Sequence, residues 1–194
     1  MNDSTFFDNL TISYCDVPIT EDGIDTITFL NATHESVKLI DIIGPEVFEF
    51  FRGEMNSNIK NLRERFEHNK SKNMTLEKLI KHDESEYKTN NIHYLGLLTR
   101  QIEFIAVGLR RSINDPNEEL AVSFTESYKI TLERHHSIVL RPIFRVAIKA
   151  CPYRHEFFKK LGNDQEKVYQ QYESWLSSLE VIIKRLNALP EFHR

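Results

Sequence analysis

Cysteine is nearly missing: the 194 residues hold only Cys15 and Cys151. Two thiols cannot build a disulfide framework, and such sparse usage fits a reducing compartment. Glycine and proline are scarce, at six each, and neither a Gly-rich phosphate loop nor a P-loop occurs. There is no HExxH pair and no nucleophile elbow. Adjacent His135 and His136 would point about 100° apart on a helix, which is poor geometry for one metal ion. The chain thus carries no positive signal for an enzyme, and neither cofactor nor metal is expected. Long apolar runs are missing too. None approaches the ~20 residues that span a bilayer, and the opening "MNDSTFFDNL" lacks the basic-then-apolar pattern of a signal peptide. Without such a signal, the three N-x-Ser/Thr sequons at Asn9, Asn31 and Asn73 read as chance matches. Excess positive charge is lacking as well: the net charge is -4, which gives no reason to expect nucleic acid. The expectation is a cytosolic protein.

What is present is helical spacing, with 40% hydrophobic and 28% charged residues, enough for one domain with a sizeable core. Residues 1–21 read as an N-terminal arm, with "NLTISYCDV" as an extended segment, and residues 22–194 as a single domain. Apolar residues recur at three and four from Asp25 to Ile43, ending at Gly44, a good helix terminator. Pro45 is placed to open a second helix to about His68. Thr75 is placed to cap a third, and "HYLGLLTRQIEFIAVGLRRSI" forms the most apolar fourth. Asp115 or Asn117 is expected to cap a helix reaching Lys149, interrupted near the histidines or bent at Pro142. "CPYRHEFFKKLG" gives a turn and a short helix, and Gln165 to Leu189 a last one. About eight helices with no convincing sheet define an all-α fold.

Several faces mix apolar and polar residues. On the second helix Met55, Ile59, Leu62 and Phe66 form a core stripe, while Glu54, Asn58 and Asn61 form a polar line continuing into Val47, Phe50 and Phe51. That pattern fits a pocket mouth or a solvated face. On the fourth helix His93, Leu97, Arg100 and Phe104 share a side, and Arg100 either snorkels or meets an anion. If "LERHHSIVLRPIF" is helical, His136, Leu140, Ile143, Phe144 and Ala147 lie together. His136 is then a satisfied buried histidine or a polar gate on an apolar pocket. Tyr153, Phe157 and Phe158 beside Lys149, Arg154, Lys159 and Lys160 suit a membrane interface or a short helix with two core anchors.

These segments together resemble the glycolipid transfer protein family, from about Ile24 to the C-terminus. "FLNATHESVKLIDIIGPEVFEFFRGEMNSNIKNL" looks like its first two helices, with D-x-x-G-x-x-V-F and a head-group motif. "YKITLERHHSIVLRPIFRVAIKACPYRHEF" is similar to its tyrosine–histidine helix and A-x-P-Y-[KR]-x-x-F segment. The resemblance implies a two-layer helical sandwich that binds one sphingolipid, with its chains in an apolar pocket between the layers. It implies that Glu54 accepts the ceramide amide N–H, that His136 donates to the amide carbonyl, and that Asn58 binds head-group oxygens. Asn61, His93, Leu97 and Arg100 complete the implied head-group set. Leu39, Ile43, Phe48, Phe104, Leu132, Phe144 and Ile148 are the implied pocket lining, and Ile138, Tyr153, Phe157, Lys159 and Lys160 the implied membrane contact. The implied behaviour is transfer of a glycolipid or ceramide 1-phosphate between membranes by a monomer that touches their surface transiently. Two long chains cost on the order of 20 kcal/mol in water at about 0.8 kcal/mol per CH₂, so a carrier must shield them.

Four positions depart from the family pattern. Glu54 stands where aspartate is usual, and Asn61 where lysine is usual. Leu97 replaces the tryptophan on which a first sugar stacks, and Ile138 replaces a membrane-facing tryptophan. Sugar and phosphate head groups both remain open on this reading, as does a helical interaction module that keeps the fold without transferring lipid.

Overall fold

The structure is a computed structural model and describes residues 4–44, 48–86 and 91–193. Eight α-helices are found among the described residues: α1 (Thr26–Ile43), α2 (Glu49–His68), α3 (Leu76–Glu86), α4 (Asn91–Asn114), α5 (Leu120–Thr131), α6 (Leu140–Lys149), α7 (Arg154–Leu161) and α8 (Gln165–Asn187). The only paired strands among those residues form a two-residue hairpin, β1 (Ile19–Thr20) with β2 (Gly23–Ile24). Helix α4 is central and packs against α5, α2, α8 and α3, while α1 packs on α2 and α5 on α6.

Local chemistry sets several boundaries. Asp25 accepts the Thr28 N–H at 2.9 Å and starts α1, and Asp164 accepts the Lys167 N–H at 3.1 Å and starts α8. Thr75 accepts the Lys78 N–H at 3.3 Å before α3, as the sequence predicts. At α5 the expectation is corrected: Asp115 instead accepts the Asn117 N–H at 3.0 Å, a tight Asx turn. The helix then begins at Leu120 with no side-chain cap. Pro45 and Val47, expected at the entry to α2, lie outside the described residues.

Residues 4–21 pack against α8. Phe7 meets the rings of Tyr172 and Trp175, and buried Tyr14 lies 5.2 Å from Trp175. Gly23 has φ 136°, a conformation that L side chains rarely adopt, and the Glu77 carboxylate occupies the space a Cβ would need. That carboxylate accepts from Ile24 N at 2.8 Å and Arg185 Nε at 2.7 Å, tying the hairpin to α3 and α8. Gly108 plays a packing role on α4: a Cβ there would stand 2.6 Å from the Phe124 ring. Its absence lets α5 approach α4 closely.

Candidate functional site

The stretch between α5 and α6 is where chain direction matters most. Helix α5 ends at Thr131, Glu133–His135 form a single 3-10 turn, and α6 resumes at Leu140. Arg141 holds this break, donating from Nε to the carbonyls of Glu133 and His136 at 3.0 and 3.1 Å. Pro142 falls in the first turn of α6, where its missing N–H has no intrahelical partner to lose. His136 is therefore not on the helix with Leu140 and Ile143; it sits in extended backbone before it. The predicted shared face is corrected on this point. Phe144 and Ala147 do face inward, but Ile143 is 62% exposed.

Freed from the helix, His136 turns onto α5. Its Nδ1 lies 2.9 Å from the hydroxyl of buried Tyr128. Burial, the largest cause, raises the Tyr128 pKa and keeps the phenol protonated. With the phenol donating, no buried hydroxyl proton is left unpaired, and the imidazole presents Nε2–H as its remaining donor. Burial, followed by the charge of Arg141, lowers the His136 pKa. Both effects favour the neutral ring.

Glu54, Phe51, Leu97, Arg100, Gln101, Leu132, His135, His136 and Leu140 line a cavity of about 180 Å³. A carboxylate and an imidazole thus stand on one recess. Burial raises the Glu54 pKa. Beside it on α2, Asn58 is buried and donates from Nδ2 to Oε1 of Gln101 at 3.1 Å. Asn61 and His93 do not line this recess. Asn61 sits about a turn further along α2, and His93 is exposed a turn nearer the start of α4.

Beneath the recess, aromatic rings fill the interior. Phe144 is their hub. It stacks on Tyr128 at 4.9 Å and meets His136, Phe104, Phe51 and Phe48 edge-on at 5.0 to 5.9 Å. Of the expected lining residues, Leu132 borders the recess, whereas Leu39, Ile43, Phe48, Phe104, Phe144 and Ile148 are buried in the adjoining core.

The outer side of α6 is also apolar. Ile138 is 83% exposed, and Val139, Ile143 and Val146 are exposed on successive turns. Arg145 and Lys149 flank them. Tyr153 is exposed, as are Lys159 and Lys160. Phe157 corrects the expectation: with Phe158 and Leu161 it forms the inward stripe of α7 and is fully buried. Arg154 is likewise structural, donating from Nε to the Ser112 carbonyl at 3.1 Å and lying 4.5 Å over the Phe158 ring.

Sequence reasoning placed Glu54, Leu97, Arg100 and His136 around one point, and the structure brings them together. It missed Tyr128, Gln101 and His135 as neighbours of that point. Tyr128 stands eight residues before His136, a spacing that reads as two helical turns only if the helix continues.

With this geometry in hand, comparisons with known proteins agree in kind. The family model for glycolipid transfer protein matches residues 24–163. A glycolipid transfer protein of Aureobasidium melanogenum is 39% identical over 183 residues, covering 94% of this chain and 91% of that protein. The crystal structure of the fungal glycolipid transfer protein HET-C2 superposes with a TM-score of 0.92 at 32% identity, covering 98% of this chain and 100% of that one. The fold of FAPP2 that selects simple glycosphingolipids gives a TM-score of 0.86 at 25% identity, covering 98% and 96%. The chain is a member of the glycolipid transfer protein family. It has that family's all-α fold, and the family consists of lipid transfer proteins rather than enzymes.

Proposed function

We propose that this chain takes up one sphingolipid and moves it between membranes. The observation that carries the reading is the recess bordered by both Glu54 and His136, backed by the Phe144 ring cluster. A ceramide amide has one N–H and one C=O. Glu54 accepts the first and the Nε2–H of His136 donates to the second, so the amide enters an apolar site with both groups paired. Leaving either unpaired costs about 1–3 kcal/mol. Asn58, held by Gln101, faces the head group. The hydrocarbon chains pass inward and part the rings of Phe51, Phe104 and Phe144, with Leu39, Ile43, Phe48, Leu132 and Ile148 forming the surrounding wall.

Entry and exit take place at a membrane. The apolar ridge of Ile138, Val139, Ile143 and Val146, with Tyr153 and the cations Lys149, Lys159 and Lys160, is the docking surface. Apolar side chains enter the interface while cations meet anionic lipid heads. No helix among the described residues is long and apolar enough to cross a membrane, so attachment by this surface is peripheral and reversible. The chain acts as a monomer in the cytosol, residues 22–194 forming the lipid-binding domain and residues 1–21 its packed arm.

The test is transfer of fluorescent galactosylceramide between vesicles. The wild-type protein accelerates it, and His136→Ala reduces that acceleration at least about tenfold, the effect of losing a buried hydrogen bond and its packing. A pure, folded protein that neither extracts nor moves any sphingolipid belongs instead to the interaction-module class.

A further inference from the structure

Gln101 lines the recess of Glu54 and His136, yet only half of its amide is in use. The residue is 5% exposed. Its Oε1 accepts from Nδ2 of Asn58 at 3.1 Å, whereas its Nε2, which carries two N–H donors, has no partner among the described residues. A donor so deeply placed is costly to leave unpaired once water is displaced from it. The packing of α2 on α4 fixes where it stands. Asn58 bonds to Gln101, and further in along the same seam Phe51 meets Phe104 at 5.6 Å. Gln101 lies three residues before Phe104 on α4, so the polar pair borders the aromatic cluster within one helical turn. Polar lining gives way to the apolar interior at this point. Arg100 and His135 also border a larger cavity of about 350 Å³, and Gln101 does not. Its free N–H groups therefore open on the inner recess, among Phe51, Leu97, Leu132 and Leu140.

We infer that Gln101 reads a hydroxyl on the acyl chain of the bound lipid, at the carbon next to the amide carbonyl. Its Nε2–H donates to that oxygen while its Oε1 stays with Asn58. With the amide held between Glu54 and His136, the first carbons of the chain pass Gln101 on their way to Phe51 and Phe104. A hydroxyl on the carbon bonded to the carbonyl is carried into the recess with the amide itself. A plain chain offers only C–H at that point; it displaces water from Nε2 and gives the donor nothing in return. A site that hydrogen-bonds a ligand hydroxyl discriminates against the analogue lacking it for this reason, because its own buried polar group is left unpaired. The inference rests on the sphingolipid reading above and adds the hydroxylation class of the chain.

The test is a competition. Vesicles carry equal amounts of two galactosylceramides with the same saturated base and acyl length, one 2-hydroxylated on its acyl chain and one plain. Native mass spectrometry of the protein after incubation reads the ratio bound, since the two differ in mass by one oxygen. The wild type is expected to favour the hydroxylated lipid about tenfold, the worth of one buried hydrogen bond. Gln101→Met keeps the length of the side chain, removes its amide, and should bring the ratio to within about twofold of unity. Both lipids carry the same galactose, so any disturbance of Asn58 cancels from the ratio, and unfolded protein contributes to neither peak. A second competition sets the plain lipid against one whose extra hydroxyl is on carbon 4 of the base; no preference is expected. A wild-type ratio near unity in the first competition, an unchanged ratio in Gln101→Met, or a preference for the base-hydroxylated lipid alone would each overturn the inference while leaving the lipid-binding reading standing. A wild-type protein that takes up none of the three lipids would overturn both.

Discussion

The hydroxyl of Tyr128 and Nδ1 of His136 stand 2.9 Å apart across the break between α5 and α6. A phenol that donates to Nδ1 leaves the imidazole proton on Nε2. Arg141 holds the break by gathering two carbonyls, and Pro142 is accommodated in the first turn of the helix that follows.

Tyr128→Phe keeps the ring stacked on Phe144 and removes only the hydroxyl. Nδ1 then has no donor, and the imidazole is free to place its proton on either nitrogen. Galactosylceramide transfer should fall about fivefold, with a stability loss of about 1 kcal/mol, the worth of one such hydrogen bond. Vesicle transfer and urea denaturation measure the two effects. Undiminished transfer would show that the tautomer is not set by Tyr128.

Glu54 and His136 predict opposite responses to pH. Burial raises the Glu54 pKa above its ordinary 4.5, so between 4.5 and the raised value the folded chain holds more protons than the unfolded one. Stability from this group is present below 4.5 and lost as pH rises through the raised value. Glu54→Gln should therefore raise the melting temperature at pH 7 while reducing lipid uptake about fivefold, because a neutral acceptor binds an N–H less strongly than a carboxylate. His136 is lowered from 6.5, so its contribution is present above 6.5 and lost as pH falls through the lowered value. Melting curves of the wild type, Glu54→Gln and His136→Asn between pH 4 and 8 separate the two groups.

Phe144 touches five other rings, a contact that the hydrocarbon chains displace under the proposed function. Phe144→Ala should cost about 3–5 kcal/mol of stability, as large-to-small changes in a packed core do. The space it opens lies where a lipid chain would lie. Bound sphingolipid should consequently raise the melting temperature of Phe144→Ala more than that of the wild type. An equal or smaller rise would place the chains elsewhere.

The α6 ridge should act on kinetics rather than affinity for lipid. Ile143→Ser with Val146→Ser removes two exposed apolar side chains worth roughly 1–2 kcal/mol of interfacial burial at about 25 cal/mol per Å². Vesicle association and transfer rate should drop about tenfold, with folding stability unchanged because neither side chain is buried. Sedimentation with vesicles reads the first effect and the transfer assay the second.

Much of the fold was legible because helix boundaries here rest on local chemistry. Asp25, Thr75 and Gly44 stop or start helices through backbone bonds that short windows of sequence contain. The stripe Met55, Ile59, Leu62 and Phe66 is buried as its spacing requires. The misreadings share a different cause. His136 was placed on a continuous helix because apolar spacing persists through residues 132–144, whereas the break is held by Arg141 reaching back to carbonyls five and eight residues away. Ile143 and Phe157 were assigned to the wrong side for related reasons: α6 is apolar on both faces, and α7 alternates buried rings with exposed lysines.

The most direct measurement is native mass spectrometry of the purified chain after incubation with sphingolipid-containing vesicles, wild type beside a Glu54→Ala, His136→Ala double variant. One lipid bound per wild-type chain, and none on the folded double variant, is the predicted result. Equal lipid occupancy in both would contradict the placement of the amide between Glu54 and His136.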